Sequence, residues 1–198
     1  MANPDSDLVL AAVAAGGATG LELLWVAPTG TTGPSDAVTA LSTVSTSWEG
    51  MGYISSDGLT ITPDESSNEI QAFGQGTPIR IVNTKAAETF QVVCLETNET
   101  VMDVYNRLEL GTTTADASGD FSVSRGAVPV QRYSFIVDIV DGVNHIRFYY
   151  PSGEVKERTE RKIGNGESIQ YGFTIQAYPD STGKFAYEYY RVPALASS

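Results

Sequence analysis

The chain has 198 residues, 41% of them hydrophobic, which suits one domain with a real core and argues against general disorder. Its net charge of −12 argues against nucleic acid as a bound ligand, because phosphate affinity depends on clustered Lys and Arg. It leaves open a protein past which DNA slides without sticking. The charge is uneven: residues 1–79 hold nine carboxylates and no Lys or Arg, and the first basic residue is Arg80. A single cysteine, Cys94, excludes an intrachain disulfide framework and is expected to be a core thiol.

Residues 1–20, rich in Ala, Gly and small polar groups, are expected to form an extended N-terminal arm with little core of its own. The apolar run at 8–15 has no basic residue before it and is too short to span a membrane, so folding in a cytoplasm is the default expectation. A β domain is expected over 21–192, with a C-terminal tail at 193–198. Its first strand is 21–27, stopped by Pro28. Residues 29–47 form a long inter-strand loop of Thr, Ser and Gly, in which Pro34-Ser35-Asp36 can start a short helical turn through Leu41. A loop of this length in a compact domain is usually functional or disordered. Extended structure resumes at 48–54. Asp57-Gly58 signals a turn, and further strands are expected at 59–62, 68–73 and 79–83, the last two separated by Gly74-Gln75-Gly76.

Residues 90–95 suit a buried strand, and then the period changes. Val101, Val104, Tyr105 and Leu108 make one apolar helical stripe. Thr97 and Asn98 supply N-caps, Glu99 and Asp103 place negative charge near the start, and Arg107 with Gly111 gives a stop. One helix, about 97–109, is therefore expected to flank a mainly β body. The rest reads as a meander: 121–124, then 133–140 and 143–150 joined at Asp141-Gly142, a turn at Pro151-Ser152-Gly153, an exposed strand at 154–162, and strands at 168–178 and 184–192. The pattern points to a β-sandwich or barrel.

Chemistry is sparse. The one histidine, His145, gives a zinc site or a Ser-His-Asp triad little to draw on, and no P-loop, dinucleotide-binding glycine pattern or Cys-x-x-Cys motif is present. The carboxylate pairs Asp64/Glu65 and Asp138/Asp141 are the best candidates for acid–base work. Asp116 and Asp120 lack EF-hand spacing. Asn98-Glu99-Thr100 matches a glycosylation sequon but is read as a helix cap. The tyrosines at 133, 149, 150, 171, 178, 187, 189 and 190 suit either sheet core and subunit contact or a sugar-binding platform. No catalytic, cofactor-binding or metal site is expected. A carbohydrate-binding or adhesive β-sandwich and a hydrolase using Asp64 or Asp138 stand as the other classes.

Several stretches, in order, resemble the major tail tube proteins of long-tailed bacteriophages with flexible, non-contractile tails, in the form common in phages of actinobacteria. They are Val26-Ala27-Pro28 with Gly30-Thr31-Thr32 and Pro34-Ser35-Asp36-Ala37, then residues 52–59 (GYISSDGL), then Asn68-Glu69-Ile70 with Ala72-Phe73-Gly74. Thr89-Phe90-Gln91 follows, running into Leu95-Glu96-Thr97-Asn98. Last come residues 144–148 (NHIRF), Gly153-Glu154-Val155 and Ala177-Tyr178-Pro179-Asp180.

The resemblance implies a structural virion protein with no cofactor, made in the host cytoplasm. Homohexameric rings would stack into a helical tube that meets tail tip or baseplate, tape measure and tail terminator proteins. DNA would pass through the lumen without specific binding, and no membrane would be involved. Four strands per subunit in an inner barrel give 24 per ring. At about 4.8 Å spacing and 40° tilt the barrel is roughly 48 Å across, leaving a lumen of about 40 Å. Six copies at −12 would give about −72 per ring, and an acidic lining would repel phosphate. By the same resemblance Thr31, Thr32, Pro34, Ser35 and Asp36 would bridge successive rings. Asn98, Val101, Tyr105 and Arg107 would place the helix at a subunit boundary. Another ring-forming tail component is the nearest alternative.

Overall fold

In β6 (Arg132–Asp141) every residue from 133 to 137 is apolar except Ser134, so both faces of the strand are buried and two separate cores form. A computed structural model describes residues 14–15, 22–74, 76–127, 130–161 and 163–197, the side chains at 14, 15, 83–86 and 197 excepted. The expected N-terminal arm, apart from the backbone of Ala14–Ala15, lies outside the described residues.

The strands form one antiparallel sheet in the order β3 (Glu49–Gly50), β2 (Leu24–Pro28), β6, β7 (Asn144–Arg158), β8 (Tyr171–Ala177), β5 (Pro78–Cys94) and β4 (Ile54–Gln71). β1 (Ala14–Ala15) pairs with β6, and β9 (Tyr187–Arg191) with β7. β7 changes partner along its length: residues 145–149 pair with β9, whereas 153–158 pair with β8. The sheet is thereby folded into two leaves that share β7 and do not close into a barrel. Their inner faces meet in the main core, where the Phe90 ring lies 5.5 Å from Phe135 and 4.7 Å from Tyr150. The expected mainly β, sandwich-like body is what the chain forms.

A helix, α2 (Glu99–Asn106), closes one side of that core. Asn98 caps it, its side chain accepting the Val101 N–H at 2.8 Å, so the sequon residue acts as an N-cap. The helix ends earlier than the sequence suggests. Arg107 takes the left-handed conformation, and the Leu108 N–H donates back to the Asp103 carbonyl, so Arg107 rather than Gly111 makes the stop. The second core, Ala27, Leu41, Trp48 and Ile136, lies on the other side of the sheet. A one-turn helix, α1 (Leu41–Val44), covers it; the turn at Asp36 precedes this helix and is not part of it.

Of three turn signals, two prove to be something else. Asp57-Gly58 does not reverse the chain; it sits in a bulge inside β4, where the pairing register shifts between Ile54 and Leu59 and Gly58 has φ 72°. β4 continues to Gln71 and pairs with β5 from Pro78 onward, so the separate strands expected between 59 and 83 are two arms of one long hairpin. Pro151-Ser152-Gly153 is likewise a bend within β7, at the point where it passes from one leaf to the other. A Cβ at Gly153 would lie 2.9 Å from both Ile175 and Phe135, so the bend needs a residue without one. The third signal does mark a turn, displaced by one residue: the loop between β6 and β7 is Gly142-Val143 rather than Asp141-Gly142. Residues 121–124 form no strand; Phe121 and Val123 pack on the main core from irregular backbone.

Candidate assembly surfaces

The long loop is pinned down over the second core. Asp36 accepts the Thr39 hydroxyl at 2.5 Å and the N–H groups of Thr39 at 2.6 Å and Val38 at 2.8 Å, and these bonds, the hydroxyl's first, hold its carboxyl low, at about 2. The Trp48 indole donates to the Thr32 carbonyl at 3.1 Å. Arg147, on β7, reaches up and donates to the Asp36 and Thr39 carbonyls at 3.2 and 2.8 Å. Its other nitrogen donates to Asp138 Oδ2 at 2.6 Å, both side chains being almost fully buried. Burial raises the Asp138 carboxyl above its ordinary value, and Arg147 opposes that rise. Of the five residues that the resemblance assigns to ring bridging, Thr32 and Ser35 are exposed, Thr31 and Asp36 are half-buried, and Pro34 is buried.

Within α2, Val101 and Tyr105 belong to the subunit's own core, whereas Asn98 and Arg107 keep partial access to solvent. Arg107 donates to the Lys156 carbonyl at 2.9 Å and so fastens the end of the helix to β7. Sequence reasoning took Asp103 only as a charge near the helix start and missed its bonding role. It is buried and accepts the Thr112 and Thr113 N–H groups at 3.1 and 3.0 Å, which folds the 107–113 segment back over the helix. The signal was there: an acid in the middle of an otherwise well-packed helical segment needs a partner.

The outward face of the leaf formed by β7, β8, β5 and β4 is polar over two neighbouring rows. Cross-strand pairing lines up Arg132, Glu154, Gln176, Thr89 and Thr62 in one row, and Glu157, Thr174, Gln91 and Thr60 in the next. Arg132 and Glu154 approach to 3.8 Å within the row. This four-stranded face ends at β4, whose outer edge pairs with no strand among the described residues. At its other limit lies β7, which β6 pairs only as far as Glu154.

Beyond Glu88, β5 loses β8 as a partner and only β4 accompanies it, so residues 63–71 and 78–88 leave the body as a two-stranded ribbon. At about 3.4 Å per residue the ribbon extends roughly 30 Å. Near its tip Ile70, Phe73, Ile79 and Ile81 are exposed, Ile79 and Ile81 to about 60%. Ribbons of this kind are marginal alone and signal a partner.

At the other end of β5 is a groove of about 530 Å³ lined by Val93, Thr159, Glu160, Glu167, Ser168 and Gln170. Ile163 and Ile169, in the segment that forms its rim, are exposed.

The carboxylate pairs do not converge. Asp64 and Glu65 are consecutive in β4 and point to opposite faces, and Asp138 is held by Arg147. The tyrosines are also dispersed. Tyr133, Tyr150 and Tyr171 are buried, with hydroxyls bonded to the Leu108 carbonyl, Glu88 and Thr97 respectively, while Tyr149 and Tyr187 stack on the other side of the sheet. Among the described residues no group of three or more His, Cys, Asp or Glu could hold a metal ion, and no helix is long and apolar enough to cross a membrane.

A family profile described as phage tail tube protein matches residues 1–191. The chain belongs to that family. No curated protein matches it. A tail tube protein is a structural component of the virion tail, and its surfaces exist to meet other tail components. This tail tube protein offers four candidate surfaces: the polar four-stranded face, the open edges beside it, the ribbon and the groove.

Proposed function

We propose that six copies of this tail tube protein close into a ring, that rings stack into a tube, and that the polar face of β7, β8, β5 and β4 lines the lumen through which DNA is delivered. The observation that carries this is the pairing at the two limits of that face. Four strands of alternating direction place the next copy's β7 antiparallel to the open edge of β4, so the ladder continues from copy to copy with every strand paired. α2, fastened to β7 through Arg107, would then border the neighbour, with Asn98 and Arg107 offering its accessible surface. Thr31, Thr32, Ser35 and Asp36 would meet the adjacent ring from a loop that Arg147 already holds in place.

The rows also sharpen the expectation of an acidic lining. Hydroxyls and amides dominate them, and Glu154 and Glu157 outnumber Arg132 by one, so these two rows are nearly neutral, weakly acidic and free of Lys. Duplex phosphates would find no cluster of cations to grip. Assembly would take place in the host cytoplasm, with tail tip or baseplate, tape measure and terminator proteins as the further partners.

Negative-stain electron microscopy across a concentration series tests the reading. Tubes with a regular axial repeat and an open lumen of about 40 Å are the expected result. Discrete rings that never stack would make it another ring-forming tail component. In assembled tails, Gln91→Lys with Glu157→Lys should slow genome release without blocking assembly, and unchanged release would refute the lining assignment.

A further inference from the structure

We propose that Tyr178 and Glu154 shield Arg132, the one cation in the two polar rows, so that the wall keeps a guanidinium which passing phosphates do not grip. This rests on the lumen assignment above and names the residues that would set how freely a polyanion slides there. Arg132 opens β6 on the outward face, and its side chain is 48% exposed. An arginine so placed would ordinarily be the strongest phosphate-binding group on the face, because its planar fork donates two parallel N–H bonds to one phosphate. Here two neighbours take up the surfaces it would use. The Tyr178 ring, just past the end of β8, has its centre 4.3 Å from the guanidinium carbon and covers one face of the plane. Glu154, directly across on β7, brings a carboxylate oxygen to 3.8 Å from Nε and occupies one edge of the fork.

Either contact alone would be weak at a solvent-facing site. Together they fix the plane and the edge of the same group from two different parts of the sheet. A phosphate approaching that face then meets a charge pair rather than a lone cation, and the field of a pair falls off faster with distance. The same contacts give the arginine a use: it ties the first residue of β6 to β7 and to the end of β8, beside the bend where β7 passes between leaves. In a tube every copy would contribute one such group along the path of the duplex, so even a weak grip at each would multiply. Shielding each one removes the brake at its source.

Tyr178→Leu tests this, because it removes the ring without changing the charge. It is compared with the unaltered chain, with Tyr178→Phe, and with Tyr178→Leu carrying Arg132→Gln as well. Far-UV circular dichroism monitors folding, and negative-stain microscopy monitors tubes. Assembled tubes are mixed with short labelled duplex DNA at several salt concentrations, and bound DNA is read by co-sedimentation. Tyr178→Leu should raise duplex affinity at low salt about tenfold, with a steeper loss as salt rises. Tyr178→Phe keeps an aromatic face and should bind like the unaltered chain, and adding Arg132→Gln should remove the gain. No gain from Tyr178→Leu, or a gain that survives Arg132→Gln, overturns the shield while the tube reading stands. On the dispersed chain, phenylglyoxal labelling of Arg132 followed by mass spectrometry reads the shield without assembly, and should run about two- to fivefold faster in Tyr178→Leu. An unaltered chain that never forms tubes overturns the lumen reading instead, and equal labelling rates overturn the shield in either case.

Discussion

Replacing Arg147 by Met removes the cation that joins Asp138 to the long loop. The substitution deletes three hydrogen bonds, at 2.6, 2.8 and 3.2 Å, and keeps most of the apolar stem. What remains is a carboxylate 2% exposed with its cation gone, a situation that costs about 3–5 kcal/mol in folded proteins. For a chain of this size that is a fall in Tm of about 6–20 °C. The loss should depend on pH. Burial already raises the Asp138 carboxyl above 3.8, and removing Arg147 removes the main opposition, so it rises further. Between the unfolded value and the raised one the folded state binds more protons than the unfolded state, so the variant's stability falls as pH rises through that window. Urea unfolding at about pH 5 and about pH 8 should show the larger loss at the higher pH. Adding Asp138→Leu should recover most of it, since removing both partners of a buried pair is often neutral. A single substitution costing less than about 1 kcal/mol, or a double no more stable than the single, would refute the account of Arg147 as the buried latch.

Other consequences are as direct. Gly153→Ala should destabilise by about 1–3 kcal/mol in denaturant unfolding, because its methyl would press on Ile175 and Phe135 where β7 crosses between leaves. Asn98→Ala should cost about 1 kcal/mol in the same assay through loss of the α2 cap. Cys94, fully buried and with its thiol pushed up to about 12 by burial, should resist a thiol reagent in the folded chain and react at once in denaturant; rapid labelling under native conditions would contradict its placement.

The parts of the fold that the sequence showed are those that bury at least one face in a core. Residues 133–150 announced a hairpin through their apolar density, and α2 was visible from the spacing of Val101, Val104 and Tyr105 and from the Asn98 cap. Of the ribbon the sequence showed only the strands near its tip, 68–73 and 79–83; its full length was hidden because neither of its faces packs on the body, and earlier in β4 Asp57-Gly58 carries a signal usually spent on turns. β7 was cut at Pro151 for a related reason: proline and glycine mark a reversal of the chain and a sharp bend equally well. Asp138 drew notice as a possible acid catalyst, whereas its partner Arg147 nine residues away could be matched to it only once β6 and β7 were in register. The groove draws on residues either side of a loop and on Val93 from another strand, which no local pattern brings together.

β7 belongs to both leaves, and this has a mechanical side. Two independent sheets stacked face to face resist sliding only through side-chain contact. Here the leaves cannot slide past each other without tearing the ladder of backbone bonds that runs along one continuous strand from Asn144 to Arg158. A pull applied to the leaf of β8, β5 and β4 is carried along that strand into the leaf of β6, β2 and β9 and shared among many bonds loaded in shear. The subunit should therefore strain as one body when a tail bends.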